Sequence, residues 1–166
     1  MKRNRTIARR RPETAEPATA AAEGPRFGWY IRRIWRLIQR SLELRLADVG
    51  LSVPQYMILR ELWSDDGMTQ RDMAARIGIR AASVVPIIDS LQALGFVERV
   101  PNRQDRRKIN IVLTALGRDS EELLGPIGHA VGDVALHNLG TISRNEFYGY
   151  LDRIIVELEH DRGDAG

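Results

Sequence analysis

Apolar residues recur at spacings of three and four over most of this chain, and at spacings of two in one short region. Phe27, Tyr30, Ile31, Ile34, Trp35, Ile38, Leu42 and Leu46 make the first stripe, which a helical repeat gathers on one side. Gly50 marks its exit. Ser52 then begins a capping box: its hydroxyl accepts a first-turn N–H while Gln55 reaches back. Pro54 is tolerated there because first-turn N–H groups have no helical acceptor. Tyr56, Leu59, Leu62 and Trp63 line the next helix, which Asp65-Asp66-Gly67 stops. Thr69, with Asp72 at the box position, caps a short helix that turns Met73, Ala74 and Ile77 inward, and Gly78 supplies a left-handed end. Residues 80–94 predict another helix, with Val84, Ile87, Ile88, Leu91 and Leu94 as its stripe and Gly95 as its terminator. Phe96-Val97 and residues 109–113 read as the strands of an antiparallel hairpin. Thr114 starts a helix toward Leu124, which Gly125-Pro126 is expected to interrupt before the pattern resumes to about Leu139. Ser143 and Glu146 predict a further capping box, ahead of a last helix bearing Phe147, Tyr150, Leu151, Ile154, Ile155 and Leu158.

The fold class that follows is mainly α with a small β-hairpin wing. Two short helices joined by a Gly-containing turn, then a hairpin, make a winged helix-turn-helix. The flanking helices are too apolar to stay wet on a lone small module.

Composition narrows the setting. The chain has 166 residues, 43% of them hydrophobic, enough for one core plus a tail. It lacks an uninterrupted apolar run of about 18 residues, so no membrane span is expected. The N-terminus has no apolar signal-peptide region, and there is no cysteine for disulfides, thiolate metal sites or thiol switching. A cytoplasmic protein fits these features. Residues 1–24 carry few large apolar groups and are expected to form a disordered basic tail.

Charge changes the picture most. Lys2, Arg3, Arg5, Arg9, Arg10 and Arg11 outweigh the whole chain's net +3, so the remainder is net negative. From Asp119 onward acids outnumber arginines. Yet residues 95–117, GFVERVPNRQDRRKINIVLTALG, hold Arg99, Arg103, Arg106, Arg107 and Lys108 against only Glu98 and Asp105. Like charges repel, so a loop this basic calls for an anionic mate. Double-stranded DNA suits it; the alternative is a winged helix used for protein–protein contact, its basic wing gripping an acidic partner. The second short helix can enter a major groove about 12 Å wide, while the hairpin tip lies along the flanking backbone and releases counterions.

The segments MTQRDMAARIGI and SVVPIIDSLQALGFVERV, then DRR in the wing followed by IVLTALGR, resemble the MarR (multiple antibiotic resistance regulator) family of bacterial transcription factors. The resemblance runs from roughly Phe27 to His160. It implies a homodimer clasped by residues 25–50 and 114–162 around a DNA-binding domain at 51–113. It also implies a repressor of a pseudo-palindromic operator, released by a small aromatic carboxylate or phenolic effector. Gly128 and Gly132 would either permit close helix approach or merely loosen a poor helix.

In that family the wing aspartate and the arginine two positions later matter most, matching Asp105 and Arg107. A guanidinium suits the enhanced potential of a narrow minor groove, and Asp105 would hold it by a charge-assisted hydrogen bond. Arg103, Arg106 and Lys108 are expected on phosphates. Thr69, Gln70, Arg80, Ala81, Ser83 and Val84 complete the expected DNA contacts. Only Arg80 and Ser83 hydrogen-bond base edges well, whereas alanine and valine meet thymine methyls. Pro86 removes one N–H and crowds the Ala82 carbonyl, so a late start or bend is expected there, with modest direct readout.

For an effector, Trp29, Tyr30, Arg33, Trp35 and Tyr56 offer aromatic walls and a guanidinium. The same aromatics also lie on apolar stripes and read individually as core. His129, Asp133 and His137 make a row on one helix face, but its outer members stand about 12 Å apart, too far for one ion. No metal or cofactor is expected. No P-loop, dinucleotide fingerprint, HExxH or nucleophile elbow is present, so no catalytic residue and no enzyme activity are expected.

Overall fold

The computed structural model describes residues 26–164, so the expected N-terminal tail lies outside the described residues. Helix α1 spans Arg26–Leu46 and passes through a single 3-10 turn, Ala47–Val49, to Gly50. Helix α2, Val53–Ser64, starts as expected: the Ser52 N–H donates to Gln55 Oε1 at 2.7 Å, and the Gln55 N–H donates to Ser52 Oγ at 3.4 Å. Helix α3, Gln70–Ile77, begins where Thr69 Oγ1 accepts the Asp72 N–H at 3.2 Å and ends at Gly78, whose φ of 71° is left-handed. Helix α4 is Ala81–Ala93. Strands β2, Val97–Pro101, and β3, Ile109–Leu113, form the hairpin, and β1, Met68–Thr69, pairs with the other side of β3. The register places Met68 opposite Ile111 and Val100 opposite Asn110. Strand β1 was not foreseen, because two residues are too few to show alternation.

Helices α5, Ala115–Ala135, and α6, Arg144–Asp164, complete the described residues. The expected interruption of α5 at Gly125-Pro126 does not occur, and the helix stops short of Leu139. A proline in a helix interior costs about 3 kcal/mol. Packing on both sides offsets it: Leu124 and Val131 are buried on either flank of Pro126. The late start expected of α4 does not occur either. Its first turn is tightened by the Ser83 N–H on the Arg80 carbonyl at 2.8 Å, and Pro86 forfeits only the bond to Ala82.

The core lies between α2, the helix pair and the sheet. Tyr56, Ile58, Leu59, Leu62, Met73, Val84, Ile88, Leu91 and Ile111 are fully buried. Helix α5 is fastened to this core at two places. Near its start, the Trp63 indole N–H donates to the Gly117 carbonyl at 2.9 Å, and Thr114 Oγ1 donates to the Gly95 carbonyl at 2.6 Å. A Cβ on Gly117 would lie 2.0 Å from the Phe96 carbonyl oxygen. Three turns on, a Cβ on Gly128 would lie 2.6 Å from the Tyr56 hydroxyl oxygen. Of the two readings left open for Gly128, close helix approach is the one found. The Tyr56 hydroxyl is buried with no well-formed hydrogen bond among the described residues, and burial pushes its pKa up against smaller opposing pulls from Arg60 and the Gly128 backbone.

Helix α6 is capped as expected, with the Ser143 N–H donating to Glu146 Oε2 at 2.9 Å. Among its described side chains none is buried. Every residue of Arg26–Leu37 in α1 is likewise exposed, and Tyr30, Ile34, Leu37 and Leu44 make a second apolar face beside the one that packs. No described helix is long and apolar enough to cross a membrane.

Candidate nucleic-acid interface

The wing tip is built by its own side chains. Asn102 Oδ1 accepts the N–H groups of Gln104 and Asp105, each at 2.9 Å, and Asn102 Nδ2 donates to Asn110 Oδ1 at 3.0 Å. The Lys108 N–H closes back on the Asp105 carbonyl at 2.8 Å. Within this frame, Asp105 Oδ1 accepts both the N–H and the Nε–H of Arg107, each at 3.1 Å. The Arg107 side chain is 92% exposed, so the carboxylate steers the guanidinium without covering its terminal nitrogens. The expected Asp105–Arg107 pair is therefore present.

The Arg107 side-chain hydrogen bond, then its backbone N–H, hold the Asp105 carboxyl below its ordinary range, with Lys108 adding a smaller pull. A carboxyl lowered on folding contributes stability that is present above its unfolded pKa, about 3.9, and fades as pH falls through the folded value. We expect the Arg107 amide and Nε–H resonances to keep their bonded shifts at pH 5 and to move only below the ordinary aspartate range. In Asp105→Asn, both shifts should be displaced already at neutral pH.

Arg103, Arg106, Arg107 and Lys108 all point outward, and none but Arg107 has an ion-pair partner among the described residues. Arg99 behaves otherwise. It lies in β2 and donates to Asp89 Oδ1 and Gln92 Oε1 of α4, the latter at 2.6 Å.

Helix α4 presents Ala81, Ala82, Ser83, Val85 and Pro86 to solvent, with Arg80 exposed at its N-cap. Val84 is fully buried beside Ile88 and Leu91. The expectation that Val84 contacts DNA is thus corrected: it packs into the core, and Val85, 38% exposed, takes the open position. The sequence held the signal, since Val84 begins the 84–88–91 stripe and one side chain cannot face both ways. Thr69, Gln70 and Ala81 share a cleft of ≈ 730 Å³ with Arg107 and Lys108. Helix pair and wing therefore border one concavity.

The expected effector walls do not converge within one chain. Trp29 and Tyr30 meet edge to face at 5.0 Å and Arg33 lies over Trp29 at 5.1 Å, all on the exposed half of α1 with Trp35. Tyr56 instead sits in the core, edge to face with Trp63 at 6.1 Å. The tight fit against Gly128 leaves its ring no open face for a ligand. The histidine row also dissolves. Helix α5 ends before His137, and Asp133 pairs with Arg144. No group of three potential metal ligands occurs among the described residues.

Comparison with known proteins places this geometry. The model of the MarR family matches residues 51–109, from the α2 cap to the start of β3. The chain is 31% identical over 93 residues to the HTH-type transcriptional regulator TtmR of Methylorubrum extorquens, covering 56% of this chain and 48% of that protein, about half its length. The structure is similar to CouR of Rhodococcus jostii RHA1, solved with p-coumaroyl-CoA, at a TM-score of 0.68 and 23% identity, over 76% of this chain and 87% of that one. It is also similar to reduced AbfR, solved on DNA, at a TM-score of 0.64 and 19% identity, over 81% and 90% of the two chains. At such identities the structures speak for the shared winged-helix fold. With the family model seated on the helix pair and the wing, residues 51–109 form a winged helix-turn-helix domain of the MarR type.

Proposed function

We propose that this protein is a transcriptional regulator that binds double-stranded DNA as a homodimer. The observation that carries the reading is the wing: a self-braced tip that sets Arg107 with Asp105 and points Arg103, Arg106 and Lys108 outward beside the open face of α4. Two copies would set their recognition helices about 34 Å apart, one helical turn of a pseudo-palindromic operator. The unburied apolar faces of α1 and α6 are the surfaces for pairing. AbfR, the similar fold on DNA, supports the same use.

The finer reading is a repressor released by a small aromatic or phenolic acid. CouR, bound to p-coumaroyl-CoA, supports it, and Trp29, Tyr30, Arg33 and Trp35 of α1 would line a site completed by the second copy. A second reading keeps DNA binding without an effector. The enclosure of Tyr56 in the core favours it.

Sedimentation and duplex-binding titrations test the reading together. A dimer is expected at micromolar chain. With 6–10 phosphate contacts, affinity should fall by roughly 10³–10⁵ between 50 and 200 mM salt. A monomer, or duplex binding indifferent to salt, overturns the proposal. Thermal shift with a panel of aromatic acids, with and without DNA, separates the two finer readings: a compound that raises the Tm of the free protein and displaces DNA supports the effector.

A further inference from the structure

Asp89 occupies an unexpected place for an acid. On α4 it follows Ala82, Val85 and Pro86 along the solvent-facing side, the side that would turn toward DNA. A bare carboxylate there would repel phosphates. It is not bare: Arg99 reaches across from β2 and donates from one guanidinium nitrogen to Asp89 Oδ1 at 2.5 Å and from another to Gln92 Oε1 at 2.6 Å. The Arg99 side chain is 27% exposed, against 92% for Arg107. Two arginines of one hairpin are thus held by aspartates to opposite effect. Asp105 turns its partner outward, and Asp89 keeps its partner against the helix.

We propose that Asp89 is a specificity-determining residue that works by withholding Arg99 from the DNA backbone. Phosphate contacts add affinity to every sequence alike, whereas discrimination depends on the base edges and groove shape that α4 and the wing tip read. An α4 face made largely of alanine, valine and proline has little directional readout to spare. One more non-specific cation at its rim would dilute what it has. Asp89 and Gln92 each engage one terminal nitrogen of that cation, hold it against α4 and fix β2 to the helix at the same time.

This inference rests on the DNA-binding reading, and a salt titration on a random-sequence duplex separates the two. Each added phosphate contact steepens the log–log salt dependence by about 0.9. Asp89→Asn should bind random duplex more tightly at low salt, with a slope steeper by about 0.9 for each chain in contact. Arg99→Gln should keep the original slope, because Arg99 makes no phosphate contact in the parent protein. The double variant should return to it. A role confined to stability would shift Tm in these variants and leave the slopes alone, so Tm is measured beside them. The inference is overturned by an unchanged slope in Asp89→Asn, by a shallower slope in Arg99→Gln, or by a steepened slope that persists in the double variant. A parent protein that shows no salt-dependent duplex binding takes the DNA-binding reading down and this inference with it.

Discussion

Gly117→Ala is expected to lower the melting temperature by about 6–12 °C, because it makes the closest clash of any glycine-to-alanine change among the described residues. The added Cβ would sit 2.0 Å from the Phe96 carbonyl oxygen and 3.1 Å from its carbon. Both belong to backbone that is already fixed. The Phe96 carbonyl accepts the Thr114 N–H at 3.0 Å, and the Gly117 carbonyl accepts the Trp63 indole at 2.9 Å. Neither side can yield without breaking one of these bonds. Overpacking of this kind costs about 3 kcal/mol, and for a chain of this length each kcal/mol moves Tm by about 2–4 °C. Thermal unfolding followed by circular dichroism measures it. Gly132→Ala in the same helix is the contrast, because its Cβ would meet no heavy atom within 4 Å. Alanine is better than glycine in a helix interior by about 1 kcal/mol, so that variant should hold or gain stability. Equal Tm values for the two variants would show that α5 is not seated against Phe96 in this way.

Arg107→Ala is expected to weaken duplex binding by about 1–3 kcal/mol, roughly five- to 150-fold, with Tm and oligomeric state unchanged. The separation follows from exposure: a side chain 92% in solvent contributes almost nothing to the core. Arg107→Lys should recover only part of the loss. Lysine keeps the charge but has no Nε–H to rest on Asp105 while a planar fork faces outward. Anisotropy titrations at fixed salt decide this. Full recovery by lysine would reduce the Asp105–Arg107 geometry to plain charge.

Which features were legible in the sequence follows from how far each signal reaches along the chain. The capping boxes at Ser52 and Ser143 and the cap at Thr69 are complete within four residues, and each is found as read. The Asp105–Arg107 pair spans three residues and was equally open to reading. The uninterrupted course of α5 was not, because local propensity at Gly125-Pro126 argues for a break. What overrides it is the burial of Leu124 and Val131 and the fit of Gly128 on Tyr56, a residue 72 positions earlier. Strand β1 exists only by virtue of its pairing to β3. Arg99 was counted with the wing cations because nothing in its neighbourhood along the chain distinguishes it. Its partners lie seven and ten residues away on another element. The effector walls do not meet within one chain for a similar reason: a shared helical stripe records which way residues face, not whether anything stands opposite.

Helix α6 leaves one consequence. A 21-residue helix with no buried side chain among those described draws little of its order from its own chain, since isolated helices are marginal in water. The free energy that holds it must be supplied by whatever covers its apolar sides. If the proposed second copy covers them, diluting this protein acts as heating does, and the number of molecules present becomes part of the folding equilibrium rather than a bystander to it.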